Sequence, residues 1–136
     1  MRRGLRGASL GGVSLRCLIV DDNAAFLRAA GALLERQGMT VVGQASNASD
    51  ALRRARELGP DVVLVDIVLG SESGFDVVRD LAQDSGRDPT VILISTHSEA
   101  DFADLIEDVP AAGFLPKSEL SAEKIRRLAA SARPGT

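Results

Sequence analysis

Three short runs in this chain are apolar at every position: Leu18-Ile19-Val20, Val62-Val63-Leu64-Val65 and Val91-Ile92-Leu93-Ile94. A half-exposed strand alternates apolar and polar residues, whereas a strand without alternation must be covered on both faces. Between these runs lie segments with apolar residues at helical spacing. In residues 24–37 these are Phe26, Ala30, Leu33 and Leu34, and in residues 48–58 they are Ala48, Ala51, Leu52, Ala55 and Leu58. Residues 74–84 carry Phe75, Val78, Leu81 and Ala82, and residues 121–132 carry Ile125, Leu128, Ala129 and Ala132. Residues 99–108 read as an acidic helix with Glu99, Asp101, Asp104, Glu107 and Asp108.

The pattern is β-α five times over, with strands expected at residues 15–21, 40–45, 62–65, 91–94 and 112–115. Turn chemistry agrees: Asp22 or Asn23 can cap the first helix and Gly38 can stop it, while Gly59-Pro60 stops the second. Strands and helices alternating at this length give an α/β, flavodoxin-like, doubly wound five-stranded parallel sheet with helices on both faces. Right-handed crossovers give the strand order 2-1-3-4-5, with a crevice at the carboxyl ends of strands 1 and 3.

What stands at those ends is unusual. Strand 1 runs into Asp21-Asp22, strand 3 into Asp66, strand 4 into Ser95-Thr96 and strand 5 into Pro116-Lys117. Strands 1, 3, 4 and 5 are neighbours in the proposed order, so three acids, two hydroxyls and one ammonium meet. Each has a plainer reading alone. Asp22 can be a helix cap, Asp21 a solvated acid, Ser95 and Thr96 turn residues, and Lys117 a surface lysine. Asp66 resists this, because it ends an uninterrupted apolar strand with no helix beside it to cap. Lys117 is one of two lysines against fourteen arginines, which favours a compact point charge at that position.

Clustered carboxylates repel one another unless a cation joins them, and hard oxygen donors with few protein groups suit Mg²⁺. A lysine beside such a site can neutralise a further anion, and a phosphoryl group fits. A carboxylate is itself a competent nucleophile toward phosphorus.

Composition narrows the classes. The net charge is −3, and without Arg2, Arg3, Arg6 and Arg16 the remaining chain carries −7, no footprint for nucleic acid. No apolar stretch approaches the roughly 20 residues that span a bilayer. Cys17, the one cysteine, sits in an apolar run and reads as a buried thiol. Such a chain is expected to be cytoplasmic. Residues 1–14 are expected to form a disordered leader, residues 15–132 the domain, and residues 133–136 a tail or the start of a linker.

The motifs Leu18-Ile19-Val20-Asp21-Asp22, Val62-Val63-Leu64-Val65-Asp66, Ser73-Gly74-Phe75-Asp76, Val91-Ile92-Leu93-Ile94-Ser95-Thr96 and Gly113-Phe114-Leu115-Pro116-Lys117 stand in the order and spacing of one family. Over residues 15–132 the chain resembles the receiver domains of two-component response regulators, in flavour those attached to a LuxR-type DNA-binding domain. The resemblance implies that Asp66 accepts a phosphoryl group from the phosphohistidine of a sensor kinase or phosphotransfer protein. It implies Mg²⁺ held by Asp22 and Asp66, by Asp21 mostly through water, and by the backbone carbonyl of Val68. Lys117 would pair with phosphoryl oxygens, with Ser95 and Thr96 at the same site. Ser95 would move to the phosphate and Phe114 swing inward behind it, changing the surface of helix 4, strand 5 and helix 5, through which many members dimerise. Such a domain is an acceptor and slow self-phosphatase rather than a turnover enzyme.

Departures from the family pattern are informative. Gly70 replaces a common proline and is expected to loosen that loop. Phe114 replaces a tyrosine, Ser95 replaces a threonine, and Ser118 stands where a proline often follows the lysine. His97, the one histidine, reads as a solvated loop residue. In the family its position and that of Val68 flank the approach of hydrolytic water, so apolar Val68 implies a long-lived phosphoryl-aspartate. The rival readings are a pseudo-receiver, an unphosphorylated interaction module that would lack an acid or the lysine, a flavodoxin-like flavin carrier and a haloacid-type phosphatase. A flavin carrier is disfavoured by Asp21-Asp22 and by the absence of Trp and Tyr. A haloacid-type phosphatase is disfavoured because Val68 stands where a second acid is needed.

Overall fold

The computed structural model describes residues 14–84, 89–97 and 99–132. Residues 1–13 of the expected leader and the tail 133–136 lie outside the described residues. Ser14, the last residue of that leader, donates its hydroxyl to the Gly38 carbonyl at 2.8 Å. The five long strands are β1 (Arg16–Val20), β2 (Thr40–Ala45), β3 (Val62–Asp66), β4 (Thr90–Ser95) and β5 (Gly113–Pro116). All pair in parallel, in the order β2-β1-β3-β4-β5. The expected order 2-1-3-4-5 therefore holds.

Side chains alternate across the sheet and build two cores. On one face Leu18, Val20, Val63, Val65, Val91 and Leu93 pack against α2 (Ala48–Leu58) and α3 (Gly74–Gln83). On the other, Cys17, Ile19, Val62, Leu64, Ile92 and Ile94 pack against α1 (Ala24–Arg36) and α5 (Ala122–Ala132). Each such side chain contributes roughly 1.5–3 kcal/mol when taken fully out of water, so the apolar runs hold the sheet from both sides.

The helical faces differ in detail from the sequence reading. In α1 the buried residues are Leu27, Ala30, Gly31 and Leu34, while Phe26 and Leu33 are half-buried. In α3 Val77 is buried and Ala82 exposed. The expected helix at 99–108 is two pieces, a 3₁₀ turn Glu99–Phe102 and α4 (Ala103–Glu107). Phe102 leaves the helical region at φ −127°, ψ 14°. Its ring stands against Phe75 and His97, with centroids 6.2 and 5.8 Å apart. No residue of α4 is fully buried, although Ile106 packs half-buried against the core.

Candidate functional site

The turn from β1 into α1 sets the first side of the site. Asn23 caps the helix, its Oδ1 accepting from Phe26 N–H at 3.0 Å. Of the two candidate caps it is Asn23 that serves, which leaves the exposed Asp22 carboxylate free of that duty. Asp21 is fully buried, and its Oδ1 accepts from Asn23 N–H at 2.8 Å.

Asp66 ends β3. Its Oδ1 accepts from Val68 N–H at 3.2 Å, and its Oδ2 accepts from Lys117 Nζ at 3.2 Å. The segment that follows folds into a two-residue antiparallel ladder, Val68–Leu69 with Glu72–Ser73. Gly70 at its tip has φ +61°, a left-handed conformation that proline's ring forbids. The turn's geometry thus accounts for glycine in place of the family's proline. Glu72 extends from the ladder to α2, where its carboxylate accepts from Ala48 N–H at 2.9 Å.

Lys117 comes from the far edge, just after β5, and its side chain is 13 % exposed. Its ammonium lies 2.6 Å from Asp21 Oδ2 and 3.2 Å from Asp66 Oδ2. It also stands 4.4 Å from the centroid of the Phe26 ring. It is therefore not a surface lysine. One carboxylate oxygen from each of Asp21, Asp22 and Asp66 lies within 4.8 Å of the other two. The four charged residues expected to meet do meet.

The electrostatics follow from burial and charge. Burial, then the neighbouring Asp21 charge, push the Asp66 carboxyl above its ordinary pKa, against the pull of Lys117 and the Val68 amide. For Lys117 burial opposes the ammonium. Its close ion pair with Asp21 and the charge of Asp66 outweigh that and hold the pKa above the ordinary value. Asp21 Oδ2, though ion-paired with Lys117, is buried without a hydrogen-bond partner of good geometry. Three carboxylates and one ammonium leave two formal negative charges. An under-satisfied oxygen in an all-oxygen set with that excess fits a small divalent cation.

Ser95 and Thr96 occupy the neighbouring strand end, where Ser95 pairs with Pro116. The buried Ser95 hydroxyl does not bind the carboxylates. It accepts from His97 N–H at 2.9 Å, closing its own turn. Thr96 and His97 are exposed, as is Val68, at 49 %. Phe114 is 9 % exposed and packed in the core beside α2 and α3.

Sequence reasoning missed two parts of this arrangement. One is the Phe26 ring over Lys117. The other is Gly74, which was noted as part of a motif without a reason. Its N–H donates to the Ile67 carbonyl at 2.8 Å. A side-chain carbon there would sit 2.8 Å from the Asp66 carbonyl carbon and 2.9 Å from Ile67 Cα. Only a residue without Cβ lets α3 begin so close to the strand that carries Asp66.

The family model for the response regulator receiver domain matches residues 17–129, and the chain belongs to that family. It is 30 % identical over 110 residues to the transcriptional regulatory protein LiaR of Bacillus subtilis, covering 80 % of this chain and 52 % of LiaR. It is 32 % identical over 115 residues to the response regulator GacA of Pseudomonas viridiflava, covering 84 % of this chain and 53 % of GacA. The chain thus spans about half the length of these curated relatives. The crystal structure of a LuxR-family two-component response regulator from Aurantimonas sp. SI85-9A1 superposes with a TM-score of 0.79 at 28 % identity, covering 89 % of each chain. Among the described residues no helix is long and apolar enough to cross a membrane.

Proposed function

We propose that this receiver domain is a working phosphoacceptor, with Asp66 as the residue phosphorylated. The observation that carries this reading is the meeting of the Asp66 carboxylate with those of Asp21 and Asp22 and with the Lys117 ammonium, which lies against both Asp21 and Asp66. A carboxylate oxygen of Asp66 attacks the phosphorus of a phosphohistidine on a sensor kinase or phosphotransfer protein. The O–P bond forms as the N–P bond breaks, and the imidazole keeps the electron pair and takes a proton. Asp21, Asp22, Asp66 and the Val68 carbonyl would hold Mg²⁺, which when bound supplies charge neutralisation for the phosphoryl oxygens. Lys117 neutralises a further phosphoryl oxygen. Nothing here requires turnover, since Asp66 is consumed until its acyl phosphate hydrolyses.

The switch then rests mainly on Ser95. To reach a phosphoryl oxygen its hydroxyl must leave the His97 N–H that holds it. The output is a change in the surface of α4, β5 and α5, where Leu105 stands 48 % exposed, and this surface is the proposed homodimer contact. The body's negative charge gives no direct nucleic-acid contact in this reading. A pseudo-receiver would lack an acid or the lysine, and none is missing.

Intact mass after incubation with Mg²⁺ and a small acyl-phosphate donor tests the proposal. One phosphoryl group is expected on the wild type, dependent on Mg²⁺, labile in base and absent from Asp66→Asn. No addition from either a small donor or a kinase, by a folded protein that binds Mg²⁺, would leave the pseudo-receiver standing.

A further inference from the structure

Lysine carries its charge at the end of a flexible four-carbon stem, so the backbone position of Lys117 alone does not place its ammonium. Two groups that hold it are the Asp21 and Asp66 carboxylates, at 2.6 and 3.2 Å. The third is the Phe26 ring, whose centroid lies 4.4 Å from Nζ, within the range where a ring face attracts a cation. Phe26 is half-buried on the first turn of α1, packed against the core that α1 shares with α5. Its backbone is set by the Asn23 cap at 3.0 Å, and Asn23 is set in turn by Asp21 at 2.8 Å. One short turn therefore fixes both an anionic partner of the ammonium and its aromatic cover.

We propose that Phe26 is a positioning residue, whose ring holds the Lys117 ammonium over the Asp21–Asp66 pair, where it meets an incoming phosphoryl oxygen. The ring shields one side of the ammonium from water, while the carboxylates take its N–H donors. The ring contact does not depend on the carboxylates' charge. It persists when Lys117 exchanges a carboxylate oxygen for a phosphoryl oxygen. The kinetic part of this inference rests on the phosphoacceptor reading; the ring contact does not.

The chain has two lysines, so a lysine-selective NMR spectrum of the whole protein holds two sets of side-chain signals, with Lys124 as internal reference. In the wild type the Lys117 methylene signal next to Nζ is expected upfield of Lys124, shifted by the ring. Phe26→Leu should move it to the Lys124 position, and Phe26→Tyr should keep it shifted. The second-order rate of phosphorylation by a small acyl phosphate should fall about fivefold in Phe26→Leu and recover in Phe26→Tyr. Phe26→Met serves in place of Leu if Leu disturbs the fold. A Lys117 signal unshifted in the wild type, or a Leu variant phosphorylated at the wild-type rate, overturns the proposal. A wild type that takes no phosphoryl group sinks the phosphoacceptor reading instead, and the lysine signals still decide whether Phe26 holds the ammonium.

Discussion

The bare α-carbon of Gly74 packs against the carbonyl of Asp66, with no room between them for a methyl group. The obstructing atoms are backbone rather than the end of a flexible side chain, so neither partner yields by changing rotamer. Gly74→Ala must therefore push α3 off β3 or displace Asp66. The expected loss is about 2–3 kcal/mol, at the upper end for overpacking a rigid site. Urea denaturation reads the loss. Because the displaced strand end carries Asp66, Mg²⁺ affinity should weaken in the same variant; wild-type stability with wild-type affinity would show that the close approach is not needed.

Lys117 is the cation that lets Asp21 and Asp66 share one buried pocket. Lys117→Met leaves those carboxylates facing each other without it. Removing one partner of a buried ion pair costs about 3 kcal/mol or more. The Mg²⁺-free variant should be destabilised on that scale near neutral pH, and Mg²⁺ should restore more stability to it than to the wild type. Thermal melts with and without Mg²⁺ give the comparison. Equal Mg²⁺ stabilisation in both proteins would argue against a shared anionic site.

Asp66 carries a folded pKa above the ordinary 3.8, raised by burial and then by Asp21. An acid whose pKa is raised by folding binds its proton more tightly in the native state. Its contribution is neutral below about 3.8 and becomes destabilising as pH rises through the folded pKa. Asp66→Asn should therefore raise the urea midpoint of the Mg²⁺-free protein at pH 7, and the gain should vanish in acid. Lys117, with its pKa raised above 10.5, follows the same sign at higher pH: its stabilising contribution is fully present near neutral pH and is lost as pH climbs through its folded value. A midpoint for Asp66→Asn that tracks the wild type across the whole pH range would contradict the assignment of Asp66 as the strained acid.

Val68 presents a half-exposed apolar side chain two residues after Asp66, beside the mouth of the site. It offers attacking water no hydrogen bond. Val68→Asn supplies one, and about 1.4 kcal/mol of barrier lowering would shorten the phosphoryl-aspartate lifetime about tenfold. The decay of the added mass after donor removal measures it. Unchanged decay would mean that water enters by another side.

Much of this molecule can be read along the chain. Residues 18–20, 62–65 and 91–94 lack alternation, so they had to be central parallel strands, and that dictated helices on both faces. Strand order followed from handedness, and the order brought Asp21, Asp22, Asp66 and Lys117 to one end. All of this depends on local burial patterns and chain topology, which periodicity reports directly.

What the tertiary structure decided are contacts between elements distant in sequence. Phe26 has the spacing of a core residue and does pack against the core, yet only the fold shows that Leu27 is the more deeply buried and that the Phe26 ring also meets Lys117. Gly74 is a motif letter until β3 and α3 are seen to touch. The acidic segment 99–108 breaks at Phe102, whose ring meets Phe75 of α3 and His97, while Ile106 of α4 packs half-buried against the same core. Phe114 is already inside, and Ser95 is tied to its own turn. A hydrophobic period says that a residue is covered. It does not say by what, because small rotations and slides of packed elements choose among neighbours that one sequence pattern permits.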